Sequence, residues 1–133
     1  MSKQASRGFP PIAAPDARVL ILGSLPGLAS LAARQYYAQP HNAFWRIMGE
    51  LFDAGPDVPC AERADRLRAS GIALWDVCRE AVRRGSLDAA IDPTTVVTND
   101  FRRFLREHPR IAHVCVNGGT AYRLYVRRVQ PLL

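Results

Sequence analysis

Four groups of residues in this 133-residue chain could do chemistry. Asn42 heads the run Asn42-Ala43-Phe44-Trp45, and Asn117 begins Asn117-Gly118-Gly119. Asp76 follows the apolar run Ile72-Ala73-Leu74-Trp75, and Gly23-Ser24-Leu25-Pro26-Gly27 breaks off from Val19-Leu20-Ile21-Leu22. Carboxamides close to the rings of Tyr36, Tyr37, Phe44 and Trp45 suit a flat heteroaromatic ligand, stacked on a ring and read by hydrogen bonds. Glycines without a Cβ let the backbone of the 23–27 loop come close to such a ligand. Each residue also has a plain structural use. Asn42 can cap a helix, Asn117 can make a turn and Asp76 can cap the element after it. Phe44 and Trp45 can serve as core, though adjacent helical residues point different ways, so one of the two is expected to be fully buried. It is the joint placement of the polar groups at the ends of apolar runs that favours a ligand site.

Several chemistries are excluded by what is absent. All but one of the 18 Lys and Arg residues are arginine, the exception being Lys3, so a Schiff-base amine within the site is not expected. No Gly-Lys-Ser/Thr follows the glycine loop, which rules out a P-loop. The first loop carries no carboxylate of its own, so a general base of that kind is not expected there. Cys60, Cys78 and Cys115 are odd in number and far apart, which favours simple buried or half-buried thiols over a disulfide framework or a zinc site. A net charge of +6 points to anionic partners, nucleic acid first. No run approaches membrane-spanning length and no signal-peptide core follows Met1, so a cytoplasmic protein without membrane contact is expected.

The elements that must position these groups follow from periodicity. Residues 1–17, with Pro10, Pro11 and Pro15, read as a flexible arm, and 18–133 as a single domain. Short apolar runs at 18–23, 72–75 and 111–116 read as buried strands. Helices are expected at 27–34, 43–52, 60–70, from 100 to His108, and 120–130, with a helix or loop over 78–91. In the second helix Phe44, Ile47, Met48, Leu51 and Phe52 recur at helical spacing as one apolar face. Strands alternating with helices predict an α/β fold of three layers, a short parallel sheet between helices, with Ser24, Asp76 and Asn117 gathered along its carboxyl edge.

Leu22-Gly23-Ser24-Leu25-Pro26-Gly27 followed by Tyr36-Tyr37-Ala38-Gln39-Pro40-His41-Asn42-Ala43-Phe44-Trp45 resembles the uracil-DNA glycosylase superfamily, and within it the hypoxanthine-DNA glycosylase branch. Gly71 to Val77, Gly85-Ser86-Leu87-Asp88, Asn99-Asp100 and Val116-Asn117-Gly118 extend the likeness over roughly residues 18 to 125. The resemblance implies a four-stranded parallel sheet, three strands of which are present here. It also implies a Ser/Pro-rich DNA-gripping loop after the fourth strand, so the chain is expected to be truncated at its C-terminus. By the same resemblance Asn42 would position the attacking water and Phe44 would stack on an extruded base. Ser24 and Leu25, with the Gly23, Pro26 and Gly27 backbone, would line the pocket, while Asp76 and Asn117 would contact the base edge. Leu25 stands where mismatch-specific relatives carry an asparagine, and Gln39 replaces the usual histidine of the His-Pro step.

What this implies is a monofunctional DNA glycosylase of base excision repair, excising a deaminated base, hypoxanthine first, without metal or cofactor. Uracil or G·T mismatch excision is the alternative within the class. A truncated, non-catalytic DNA-binding remnant and a nucleotide-binding α/β protein are the alternatives outside it. A monomer is expected unless the unpaired edge at 111–116 finds a partner.

Overall fold

Residues 4–133 are described by a computed structural model of the chain. In order they form β1 (Ser6–Arg7), β2 (Val19–Gly23), α1 (Leu28–Ala33), α2 (Phe44–Phe52), α3 (Cys60–Ala69), β3 (Ile72–Asp76) and β4 (Cys78–Ala81). After short 3-10 turns come β5 (Val97–Thr98), α4 (Phe101–Glu107), β6 (His113–Val116) and α5 (Gly119–Leu124). A parallel sheet of order β3-β2-β6 is the centre. β2 and β3 are apolar up to their last residues because both their faces are covered, whereas the edge strand β6 leaves His113 and Cys115 exposed. Leu20, Leu22, Ala73 and Trp75 pack with Phe101 and Phe104 of α4, while Ile72 and Leu74 pack with Tyr36, Phe44, Trp45, Met48 and Leu67. That alternation is the two-residue period of a strand between two helical layers.

Register decides where the polar ends fall. Gly23 lies opposite Asp76, and Leu22 opposite Val116, so the next residue after β6, Asn117, arrives at the same edge. The chain is locked there by three backbone bonds: Val77 N–H to Gly23 C=O at 2.8 Å, Cys78 N–H to Ser24 C=O at 3.0 Å, and Asn117 N–H to Leu22 C=O at 2.7 Å.

The structure corrects four expectations. The segment read as an arm is tied down from Ser6 onward: β1 pairs antiparallel with β4, Ile12 bridges Leu74, and the Phe9 carbonyl accepts from the Trp75 indole at 3.1 Å. Lys3 lies outside the described residues. The start of 78–91 is strand rather than helix, because β4 has β1 on one side and β5 on the other, a second sheet of order β1-β4-β5. On α2, Ile47 and Leu51 are exposed, and Phe44 and Trp45 are both buried. Trp45 achieves this by donating its indole N–H to the Tyr36 carbonyl at 2.7 Å, with the Arg63 guanidinium lying over its ring. The last helix is regular only to Leu124, then widens into a π-helical turn, Tyr125–Val129. Among the described residues β6 pairs only with β2, and no helix is long and apolar enough to cross a membrane.

Candidate active site

A cavity of about 340 Å³ opens at the carboxyl edge of the parallel sheet. Its walls are the 23–27 loop, Tyr36, Tyr37, Gln39 and Asn42 before α2, Asp76 at the end of β3, Ser86 and Asp88, and Asn117 after β6. A larger concavity of about 530 Å³ beside α1 and α3 is walled mainly by apolar side chains and holds no carboxylate. Chemistry, not size, selects the first.

The loop is shaped by what takes its carbonyls. Those of Gly23 and Ser24 accept from the Val77 and Cys78 amides, and those of Leu25 and Pro26 accept from the Arg83 guanidinium. Arg83, its side chain 1% exposed, also reaches the Gly85 carbonyl at 3.2 Å and the Asp88 carboxylate at 3.5 Å. Asp88 accepts in turn from Ser24 Oγ at 2.7 Å, and Ser86 Oγ accepts from the Leu28 amide at 2.8 Å. The loop is thus buckled from behind. Gly23 is required by proximity: a Cβ there would lie 2.6 Å from both Asp76 Oδ1 and the Tyr37 hydroxyl.

Asp76 is 4% exposed, and its Oδ2 has no hydrogen-bond partner among the described residues. Burial, then the charge of Asp88, push its carboxyl up to about 7 against the opposing pull of Arg83. The strand end carrying it is braced by Asn99, whose Nδ2 donates to the Asp76 carbonyl at 2.7 Å. A carboxylate therefore does enter the site, and Asp88 with it. The first loop's own composition gave no sign of this, because both come from other elements. Cys78, buried beside the site, is no nucleophile: burial first, then Asp76 and Asp88, push its thiol up to about 12.

Of the residues expected from sequence, Gly23, Ser24, Leu25, Pro26, Gly27, Asn42, Asp76 and Asn117 share this cavity. Asn42 is exposed and its Oδ1 accepts from the Phe44 amide at 2.9 Å, so it orients the start of α2 and is itself oriented. Phe44 is the exception. It stands off the cavity wall, covered by the Tyr37 ring at 4.1 Å between centroids. Tyr37 has a left-handed backbone (φ 52°), which sets it on the wall in Phe44's place. Asn117 Nδ2 donates to the Tyr37 hydroxyl at 3.1 Å, and burial and then Asp76 raise that hydroxyl above the usual tyrosine range. Tyr37 was among the rings named from the sequence, whereas Arg83, Ser86 and Asp88 are additions to the site. The Gly85–Asp88 run was visible in the sequence, but nothing there indicated that it would meet residue 24.

A family model described as the uracil DNA glycosylase superfamily matches residues 10–132. The chain belongs to that superfamily. Within it, the chain is 35% identical over 116 residues to a hypoxanthine DNA glycosylase of Methanosarcina acetivorans, spanning 86% of this chain and 72% of that protein. It is 37% identical over 121 residues to the protein of the same name from Methanosarcina barkeri, spanning 89% and 72%. Among solved structures it is similar to a solution NMR structure from Methanosarcina acetivorans, provisionally named a uracil DNA glycosylase. The TM-score is 0.79 and the identity 33%, over 98% of this chain and 77% of that one. For this member of the uracil DNA glycosylase superfamily, the cavity at the sheet edge is accordingly the place to seek the reaction.

Proposed function

We propose that this chain is a monofunctional DNA repair glycosylase that hydrolyses the N-glycosidic bond of a deaminated base, hypoxanthine in the first instance. The observation that carries the reading is the meeting of Asn42, Asp76 and the buckled 23–27 loop on one cavity. The names of the two relatives add hypoxanthine as the base.

The nucleotide is turned out of the duplex at a cost of a few kcal/mol, least where pairing is already weak. Asn42 holds the water: one lone pair of Oδ1 is taken by the Phe44 amide, and the second accepts a hydrogen bond from the water. The C1′–N bond breaks with its electron pair passing to the base, water oxygen bonds to C1′, and the proton that the water gives up passes through solvent to the departed base, which leaves neutral. The carbonyls of Gly23 to Pro26 are engaged elsewhere, and backbone N–H groups of the loop would support the charge developing on the base. Asp76 reads the base edge. In its neutral form it offers an O–H beside a C=O, the complement of the N–H and C=O that deamination creates side by side. Asn117 steadies Tyr37, and Tyr37 rather than Phe44 is the ring beside the bound base. Chemistry through an enzymic amine is not part of this reading, since the one lysine is Lys3.

Uracil is the second reading, supported by the name of the NMR structure. The test is incubation of the chain with duplexes containing inosine, uracil or a G·T pair, followed by alkaline scission. Scission at inosine is expected, with a loss of about 100-fold or more in Asn42→Ala, the order of effect of one positioned catalytic group. Scission at uracil alone would transfer the proposal to the second reading. Absence of scission in all three, with DNA binding kept, would replace it by a non-catalytic one.

A further inference from the structure

Next to the base cavity, and sharing Asp88 with it, lies a second groove of about 300 Å³, walled by Arg123, Arg127, Arg128 and Thr120 over a floor that includes Ile91, Pro93 and Leu124. All three arginines are exposed. They meet on one groove where α5, which carries Arg123, passes into the π-helical turn at Tyr125–Val129, which carries Arg127 and Arg128. In a regular helix Arg128 would stand about 140° round from Arg123. The i→i+5 bonding of a π turn brings residues five apart toward one face, and such turns cluster at functional positions. Two of the guanidinium groups are held in place: Arg123 donates to Thr120 Oγ1 at 3.2 Å and Arg128 to the Pro93 carbonyl at 2.8 Å. Arg127 has no hydrogen-bond or ion-pair partner among the described residues. Asp88, the carboxylate on this wall, is already engaged by Ser24 and Arg83, which offsets its charge toward a ligand.

We propose that this groove seats the DNA phosphates flanking the extruded nucleotide, with Arg123, Arg127 and Arg128 contacting them. The proposal rests on the reading that the substrate is DNA, and selects these arginines from a chain with many. An extruded base carries its sugar and phosphates at the cavity mouth, and a cationic groove joined to that mouth through one shared residue is where they fall. Phosphates of any sequence suit it, so the groove supplies affinity and register and leaves the choice of base to the cavity.

The test is the salt dependence of binding to an undamaged duplex of about 20 base pairs, followed by fluorescence anisotropy between about 50 and 200 mM salt. Arg127→Gln and Arg123→Gln are each expected to lower the slope of log K against log salt by about 0.9, the value for one lost phosphate contact. Arg106→Gln, exposed on α4, is expected to leave it unchanged. Slopes for Arg127→Gln and Arg123→Gln equal to the unsubstituted protein's, or an equal fall for Arg106→Gln, would overturn the proposal. Arg127 makes no hydrogen bond or ion pair among the described residues, so its variant is expected to fold, which circular dichroism checks. Scission at inosine, measured alongside in the unsubstituted protein, separates the two claims. Scission with unaltered slopes removes the groove and keeps the glycosylase. Lowered slopes without scission keep the groove and remove the glycosylase.

Discussion

Replacing Asp76 by Asn isolates the least comfortable group in the molecule. Asp76 is 4% exposed, with one carboxyl oxygen left without a partner among the described residues, and its carboxyl is raised from an ordinary 3.8 to about 7, by burial first and by Asp88 second. The folded chain therefore holds a proton that the unfolded chain has lost between about pH 4 and pH 7. With more protons bound when folded, stability falls as pH rises through that window and levels off above it. At 1.36 kcal/mol per pH unit the whole difference is about 4 kcal/mol, of which roughly 2 to 3 kcal/mol falls between pH 5 and pH 8. Other carboxylates and histidines titrate in the same range, but they are common to both proteins. The informative quantity is the stability of Asp76→Asn minus that of the parent at each pH. Urea denaturation at pH 5, 6, 7 and 8 measures it. The difference is expected to shift in favour of the Asn form by roughly 2 to 3 kcal/mol across the series, which is on the order of 1 M in the urea midpoint. A difference that stays constant with pH would refute the reasoning. It would mean that Asp76 is solvated or partnered in solution and is not the neutral reader of a base edge at pH 6.

Other substitutions test the parts that hold the cavity open. Gly23→Ala puts a methyl group 2.6 Å from both Asp76 Oδ1 and the Tyr37 hydroxyl, so a loss of about 1–3 kcal/mol in urea denaturation is expected, together with loss of scission at inosine. Arg83→Gln frees the Leu25 and Pro26 carbonyls and removes the cation that opposes proton uptake by Asp76. A destabilisation of about 2 kcal/mol is expected from the lost charged hydrogen bonds, and the Asp76 titration, followed by carboxyl NMR, moves further up.

The sheet was legible because its signal is local. Val19–Gly23, Ile72–Asp76 and His113–Val116 are short apolar runs ended by polar turns, and the rule that ligands sit beyond the carboxyl ends of such strands located the cavity before its walls were known. Asp76 and Asn117 were visible for the same reason, and Asn42 through the family-like run from Tyr36 to Trp45. What escaped sequence reading depends on contacts between distant residues. The β1–β4 pairing joins Ser6 to Ala81, and neither segment carries a strand pattern long enough to stand out. Arg83 looks like any other arginine of a chain rich in them, until the fold closes over it. The exchange of Phe44 for Tyr37 turns on one left-handed residue that is not glycine, a conformation composition does not announce.

The two carboxylates make the same point in chemical terms. Judged from its own five residues, the glycine loop offers no acid or base. Parallel strands then bring Asp76 to Gly23 by register, and the turn after β4 brings Asp88 to Ser24 by a hydrogen bond of 2.7 Å. One of these carboxyls is buried with an oxygen that has no partner among the described residues, and the other is held by Ser24 and Arg83, so two like groups beside one cavity stand in different surroundings. That difference comes from the fold rather than from the residue type. On the reading proposed above, it gives a site built mainly of amides and rings one carboxyl to set against the N–H and C=O of a deaminated base.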